Sequence, residues 1–269
     1  MNAKIVGNGD KTLVLAHGYG GSLSIWDYVL PRLSQSNRVL LFNWSFSSSV
    51  DPLISPFDPT KYSSLSAFAD DLIALLDEMK MEGVVYVGHS MAGMIGCIAS
   101  VKRPDLFSHL VLIGASPRYL NSDDYKGGFD RKEVENIFSV IISNFTTWAR
   151  NFATLAMATS DPVPIEKFCK SFLGMRPETA LSVAKAIFLS DWRDILEKIE
   201  VQCTIIQGTN DKVVPVSVAN YMQSKMKVKA RMEIIEGVGH FPQLTCPNML
   251  INIIERVLMF TNGRNNICM

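Results

Sequence analysis

Cysteine is scarce in this sequence, and no two cysteines are spaced to chelate. The five residues Cys97, Cys169, Cys203, Cys246 and Cys268 are scattered over 269 positions and odd in number. No C-x-x-C pair exists, which argues against a zinc site or a disulfide framework; no metal and no cofactor are expected. Net charge is also missing. Twenty-six Lys and Arg balance 26 Asp and Glu, so no electrostatic footprint points to nucleic acid or an anionic membrane. Long apolar runs are absent too. The N-terminus passes straight into Ala3-Lys4-Ile5-Val6, without a basic region followed by an apolar segment. Neither a signal peptide nor a membrane span is expected, and a reducing intracellular compartment is the consistent reading. Histidine is rare, at four residues, which narrows any search for a general base.

What is present is a large apolar fraction, 48%, with only 19% charged residues. That suits one large α/β domain with ample core, and nothing in it calls for more than a monomer. Short β-branched and aliphatic runs alternate with helix-spaced segments through the first half. The runs at 4–6 and 12–16, joined by Gly7-Asn8-Gly9-Asp10, read as a hairpin. Residues 24–33 have helical spacing with Ser24 as cap, 38–42 form a strand, 65–79 an amphipathic helix, and 84–87 and 110–113 two buried strands. His109 falls in the preceding loop. This alternation predicts a mainly parallel sheet flanked by helices, with ligands at the carboxyl ends of its strands. From about 130 to 191 no strand is legible, and four short helical segments are punctuated by Pro162, Pro164 and Pro177. This reads as a helical lid over residues 118–191, inserted into a core of 1–117 and 192–260, with a frayed polar tail at 261–269. The lid aromatics can serve ordinary core packing. Phe129, Trp148, Phe152, Phe168 and Phe188 are nevertheless more aromatic surface than one layer requires, and are expected to line an apolar pocket.

The chemistry is concentrated in Val84-Val85-Tyr86-Val87-Gly88-His89-Ser90-Met91-Ala92-Gly93. A strand, a small-x-Ser-x-small turn and a helical run make the context of a nucleophile elbow. A serine that merely caps a helix is the plainer alternative. As an elbow, the turn lifts the Ser90 hydroxyl off the sheet and sets the Met91 backbone N–H at a helix start, where it can stabilise an oxyanion. His17-Gly18-Tyr19-Gly20-Gly21 follows the second strand, and the Tyr19 N–H is the best second oxyanion donor. His17 itself is read as structural, bonding the backbone, and the Tyr19 side chain as part of the pocket. Gly208-Thr209-Asn210-Asp211 puts an acid just past a later strand, and Gly237-Val238-Gly239-His240 a histidine after the last one. An aspartate in such a turn can be a simple cap. The order Ser90, Asp211, His240, each after a strand, is however that of an α/β-hydrolase triad: His240 takes the serine proton and Asp211 fixes its tautomer. A serine at the elbow argues against chemistry that needs a carboxylate there.

Several segments together make a more specific likeness. They are His17-Gly18-Tyr19-Gly20, Tyr86-Val87-Gly88-His89-Ser90-Met91, Arg103-Pro104-Asp105-Leu106-Phe107, Ser116-Pro117-Arg118-Tyr119, Tyr125-Lys126-Gly127-Gly128-Phe129, Met175-Arg176-Pro177 and Val213-Val214-Pro215-Val216. In these the chain resembles the plant strigolactone- and karrikin-receptor α/β-hydrolases, and among them the divergent third, DWARF-like, paralogue. The resemblance implies a four-helix lid over an apolar pocket, a small butenolide-type ligand attacked by Ser90, and His240 able to retain a ligand fragment. It carries the pocket lining onto Tyr19, Phe129, Trp148, Phe152, Phe168 and Phe188. It also implies a cytoplasmic and nuclear protein, and recruitment of an F-box protein and a repressor. One departure is clear: Asn43-Trp44-Ser45-Phe46-Ser47-Ser48-Ser49 replaces the family's Asp and Gly-containing turn. An aromatic there is expected to cover the pocket entrance or alter a partner surface. Three functions are open on this reading: a slow serine hydrolase of a small apolar lactone or ester, a hormone receptor with incidental hydrolysis, and a general carboxylesterase.

Overall fold

The computed structural model describes residues 1–47 and 57–261. Its strands are β1 (Asn2–Val6), β2 (Lys11–Ala16), β3 (Asn37–Asn43), β4 (Val84–His89), β5 (Phe107–Ile113), β6 (Gln202–Gly208) and β7 (Arg231–Ile235). The helices are α1 (Leu30–Leu33), α2 (Leu65–Glu78), α3 (Met91–Lys102), α4 (Arg131–Met157), α5 (Pro162–Leu173), α6 (Pro177–Phe188), α7 (Val216–Lys225), α8 (Pro242–Thr245) and α9 (Pro247–Thr261). The strands form one sheet in the order β1-β3-β2-β4-β5-β6-β7. All neighbours are parallel except β1 with β3. The central β2 and β4 are almost wholly buried, as a parallel sheet covered on both faces requires.

Three expectations are corrected. The first two strands do not form a hairpin. Both edges of β2 are taken by the parallel strands β3 and β4, so β1 crosses over and pairs antiparallel with β3, Asn2 opposite Asn43. No single helix spans 24–33. A 3₁₀ turn over Leu23–Trp26 is capped by Ser22, not Ser24, and α1 starts again at Leu30. Pro31 lacks the N–H and fits only the first turn of a helix, so it forces the restart. His109 lies in β5, where its Nε2 is 2.9 Å from Thr204 Oγ1.

Between β5 and β6 the regular elements are helical. The first two expected segments are the two arms of α4, joined at Asn144, whose φ of −155° and ψ of 71° leave the helical region. Asp130 and Glu133 close a capping box at its start. α5 and α6 pack against α4, and their apolar faces supply Phe168, Phe172, Ile187 and Phe188 to the buried core. Thr261 is still in α9; the remainder of the expected tail, 262–269, lies outside the described residues. Cys97 and Cys203 are core residues. No helix among the described residues is long and apolar enough to cross a membrane, and no three of their His, Cys, Asp and Glu side chains are grouped to hold a metal.

Candidate active site

β4 ends at His89 and α3 begins at Met91, leaving Ser90 to make the whole turn. Its φ of 57° and ψ of −123° are unusual for a residue with a side chain, a conformation that costs on the order of 1–3 kcal/mol unless its surroundings impose it. They do. The Ser90 N–H donates to Ile113 O at 2.7 Å. The flanking positions admit nothing larger: a Cβ on Gly88 would stand 2.7 Å from Ala92 O, and one on Gly93 2.6 Å from Ala115 Cβ. Met91, as first residue of α3, has an N–H with no carbonyl in the preceding turn to bond.

The loops after β6 and β7 bring two more side chains to this elbow. His240 Nε2 lies 2.9 Å from Ser90 Oγ, and His240 Nδ1 lies 2.7 Å from Asp211 Oδ2. All three residues are buried. Asp211 is held from several sides. Its Oδ1 accepts from the N–H groups of Val213 and Val214 at 2.8 and 2.9 Å, and its Oδ2 also accepts from Gln207 Nε2 at 3.1 Å. Its acceptor positions are therefore fixed, Nδ1 of His240 must carry the proton, and Nε2 is left as the acceptor for the serine hydroxyl. The His240 backbone is pinned at both ends: its N–H donates to Ala156 O of α4 at 2.8 Å, and its carbonyl accepts from His89 Nε2 at 2.9 Å.

The loop after β2 passes directly over the elbow. A Cβ on Gly18 would be 2.9 Å from Ser90 Cβ, which sets the backbone at Tyr19 beside Ser90. The Tyr19 hydroxyl donates to Ala180 O of α6 at 2.6 Å, tying core to helical cover. His17 is not among the residues that line the cavity above Ser90. Its Nδ1 is 2.9 Å from Gly18 O and its Nε2 3.1 Å from Ser47 Oγ, and burial lowers its pKa to about 4, so it is neutral.

The aromatics Trp44 and Phe46 are buried, neither covering the pocket entrance nor forming a partner surface, and this expectation is corrected. Trp44 is fully buried, donates Nε1–H to His17 O at 2.8 Å and packs edge-on against Phe42 and Phe68. Phe46 is buried between His17 and Phe68, and Asn43 Oδ1 accepts from the Leu23 N–H. They wedge the His17 loop from behind. Ser48 and Ser49 lie outside the described residues.

The cavity above Ser90 is small, about 20 Å³, against the several hundred typical of ligand pockets. Of the six side chains expected on its wall, Tyr19, Phe152 and Phe188 are there. Phe129, Trp148 and Phe168 stand behind them. Phe129 packs on Tyr119 and Phe188, Trp148 stacks on Phe152, and Phe168 packs on Phe172 and Phe241. Edge and offset contacts among so many rings fill the space that helical spacing alone leaves undecided. The wall also includes residues that sequence reasoning did not select, His89, Tyr119, Ile187, Val213 and Phe241. The Tyr119 hydroxyl is 3.4 Å from Ser90 Oγ. Tyr119 ends one of the segments of the family likeness, but no periodicity marks it as a wall residue; it lies in an irregular stretch that only tertiary packing places.

Residues 11–247 match the α/β hydrolase fold family. The chain is 40% identical to a strigolactone esterase of Arabidopsis thaliana, over 96% of each protein. It is also 40% identical to a karrikin insensitive 2 receptor, CA, of Petunia hybrida, covering 95% of this chain and 94% of the receptor. The chain belongs to the α/β-hydrolase family of strigolactone esterases and karrikin receptors. As a hydrolase of that family it also shares its architecture with bacterial enzymes. A hydrolase from Oleispira antarctica superposes with a TM-score of 0.91 and 31% identity, covering 97% of this chain and 94% of the other.

Proposed function

We propose that the protein hydrolyses a small, apolar ester or butenolide-type lactone by acyl transfer through Ser90, His240 and Asp211. The observation that carries this is the unbroken chain of buried hydrogen bonds from Asp211 Oδ2 through His240 to Ser90 Oγ, opening on a wall of aromatic and aliphatic side chains. Ser90 Oγ attacks the carbonyl carbon as its proton passes to His240 Nε2. The N–H groups of Met91 and Tyr19 hold the oxyanion, and the protonated His240, oriented by Asp211, returns the proton to the leaving oxygen. Water then releases the acyl group. The test is turnover and intact mass together, wild type against Ser90→Ala, on synthetic butenolides and simple alkyl esters. Ser90-dependent cleavage of butenolides supports the reading. Wild-type turnover in Ser90→Ala refutes it, and cleavage of simple esters with butenolides ignored favours a general carboxylesterase.

A receptor function is the second reading, favoured by the join between lid and triad. The His240 N–H bonds to Ala156 O at the end of α4, and a cavity of about 20 Å³ cannot take a butenolide without displacement of the helices over it. A ligand that moves α4 therefore also moves His240. In this reading the altered lid recruits an F-box protein and a repressor, in the cytoplasm and nucleus of a plant cell. Equal identity to an esterase and to a karrikin receptor supports a third branch distinct from both. Ligand-dependent capture of an F-box partner by purified protein is the test, and no capture at saturating ligand counts against it.

A further inference from the structure

Hydrolysis through an acyl-enzyme makes a demand that the triad alone does not meet. The attacking water has two hydrogens. His240 Nε2 accepts one; the other needs a second acceptor if the water's lone pair is to face the acyl carbon. His89 is the candidate. It is 1% exposed, it lines the cavity above Ser90, and its ring centroid is 4.9 Å from that of His240. Its Nε2 is engaged with the His240 carbonyl at 2.9 Å, which requires Nε2 to carry the hydrogen. Nδ1 is then a bare acceptor, and it has no hydrogen-bond partner among the described residues. A buried acceptor without a partner is rare and unfavourable unless it has work elsewhere in the cycle. Burial, with His240 beside it, holds the His89 pKa well below the ordinary histidine value, so the ring is neutral and Nδ1 keeps its lone pair. Position 18 must be glycine beside this nitrogen: a Cβ there would stand 3.0 Å from Nδ1 and 2.9 Å from both Ser90 Cβ and His89 O. The cavity volume of about 20 Å³ is that of a site for one water.

We infer that His89 Nδ1 positions the water that releases the acyl group from Ser90. The inference rests on Ser90 being the nucleophile. In this step the water oxygen bonds to the acyl carbon as one hydrogen passes to His240 Nε2, while the other stays on the oxygen and donates a hydrogen bond to His89 Nδ1. The tetrahedral intermediate then collapses. The bond from the acyl carbon to Ser90 Oγ breaks, His240 returns its proton to Oγ, and the acid departs with the second hydrogen. His89 neither gains nor loses a proton. It is a positioning residue for the water and, through Nε2, for the backbone of His240.

The two functions separate by substitution. In His89→Gln the amide nitrogen can still reach the His240 carbonyl, but the acceptor at the Nδ1 position is gone. Methanol supplies the discriminating readout, because its single hydroxyl hydrogen is satisfied by His240 alone and needs no second acceptor. With p-nitrophenyl acetate in aqueous methanol, the ratio of methyl acetate to acetate reports which nucleophile deacylates the enzyme, whatever fraction of the preparation is active. The expected result for His89→Gln is a nitrophenol burst of near wild-type rate, slower steady-state turnover, an acetylated protein mass, and a methanol-to-water partition raised about tenfold. His89→Asn, whose amide oxygen stands near the Nδ1 position while the Nε2 donor is lost, is expected to keep the partition near the wild-type value, and provides the test if His89→Gln does not fold. An unchanged partition in a His89→Gln protein that still shows a burst overturns the inference, even if that variant is slow, and so does a tenfold rise in His89→Asn. Absence of a Ser90-dependent burst in the wild type overturns the underlying nucleophile assignment, and this inference with it.

Discussion

Asp211→Asn is isosteric, yet the structure dictates which way the new amide must point. Asp211 Oδ1 accepts two backbone N–H groups, from Val213 and Val214, so the asparagine oxygen must stay there. The amide nitrogen then falls at the Oδ2 position and donates to His240 Nδ1, from which Oδ2 is now 2.7 Å away. His240 is forced into the tautomer with its hydrogen on Nε2, which can no longer accept the Ser90 proton 2.9 Å away. Gln207 offers no relief. Its Nε2 faces the same oxygen at 3.1 Å and is held by Val214 O at 2.8 Å, so turning the Gln207 amide would set two oxygens against each other. Fixing the wrong tautomer in a Ser-His-Asp site costs about 10,000-fold in kcat, which is about 5 kcal/mol of transition-state stabilisation. The assay is steady-state hydrolysis of p-nitrophenyl acetate at pH 7 beside Ser90→Ala, with a thermal melt to confirm folding. A folded Asp211→Asn enzyme within tenfold of the wild type would refute the tautomer argument.

Other outcomes follow from the same contacts. His17 is buried with its pKa lowered from 6.5 to about 4; the unfolded chain binds this proton first, so stability is full above pH 6.5 and falls as pH drops toward 4, by about 3 kcal/mol from this residue. Thermal melts across that window test it, and a profile as steep in His17→Gln as in the wild type would refute the attribution. Trp44→Phe keeps a smaller aromatic ring but strands the buried His17 carbonyl, and is expected to lower urea stability by about 1–3 kcal/mol; no change would remove Trp44 as the wedge behind the loop. Tyr19→Phe breaks the bond to Ala180 O and should speed amide hydrogen exchange in α6, with a global loss of about 1 kcal/mol. Phe188→Ala removes a ring from the cavity wall, and is expected to cost about 3–5 kcal/mol in stability while raising the relative rate on bulkier esters.

Much of this protein was legible without coordinates. Ser90, Asp211 and His240 each follow a short β-branched or aliphatic run, and in a parallel sheet the ends of such runs gather at one edge. Strand periodicity and residue order were therefore enough to propose their meeting, and the structure brings them within 2.9 and 2.7 Å of each other. Small residues around Ser90 were equally readable, since a turn that tight leaves no room for a Cβ. What the tertiary structure alone decided depends on contacts between residues far apart in the chain. The pairing of β1 with β3 is set by which sheet edge remains open once β2 has two parallel neighbours. Helical spacing marked the lid aromatics as apolar, but only their mutual packing put Phe152 and Phe188 on the cavity wall and Phe129, Trp148 and Phe168 behind it. Trp44 read as a surface change and is a buried wedge, because its indole finds a carbonyl 27 residues earlier. The two nitrogens of His89 are alike in the sequence. One is committed to a backbone 151 residues away and the other is buried without a hydrogen-bond partner among the described residues, a distinction made only by the fold.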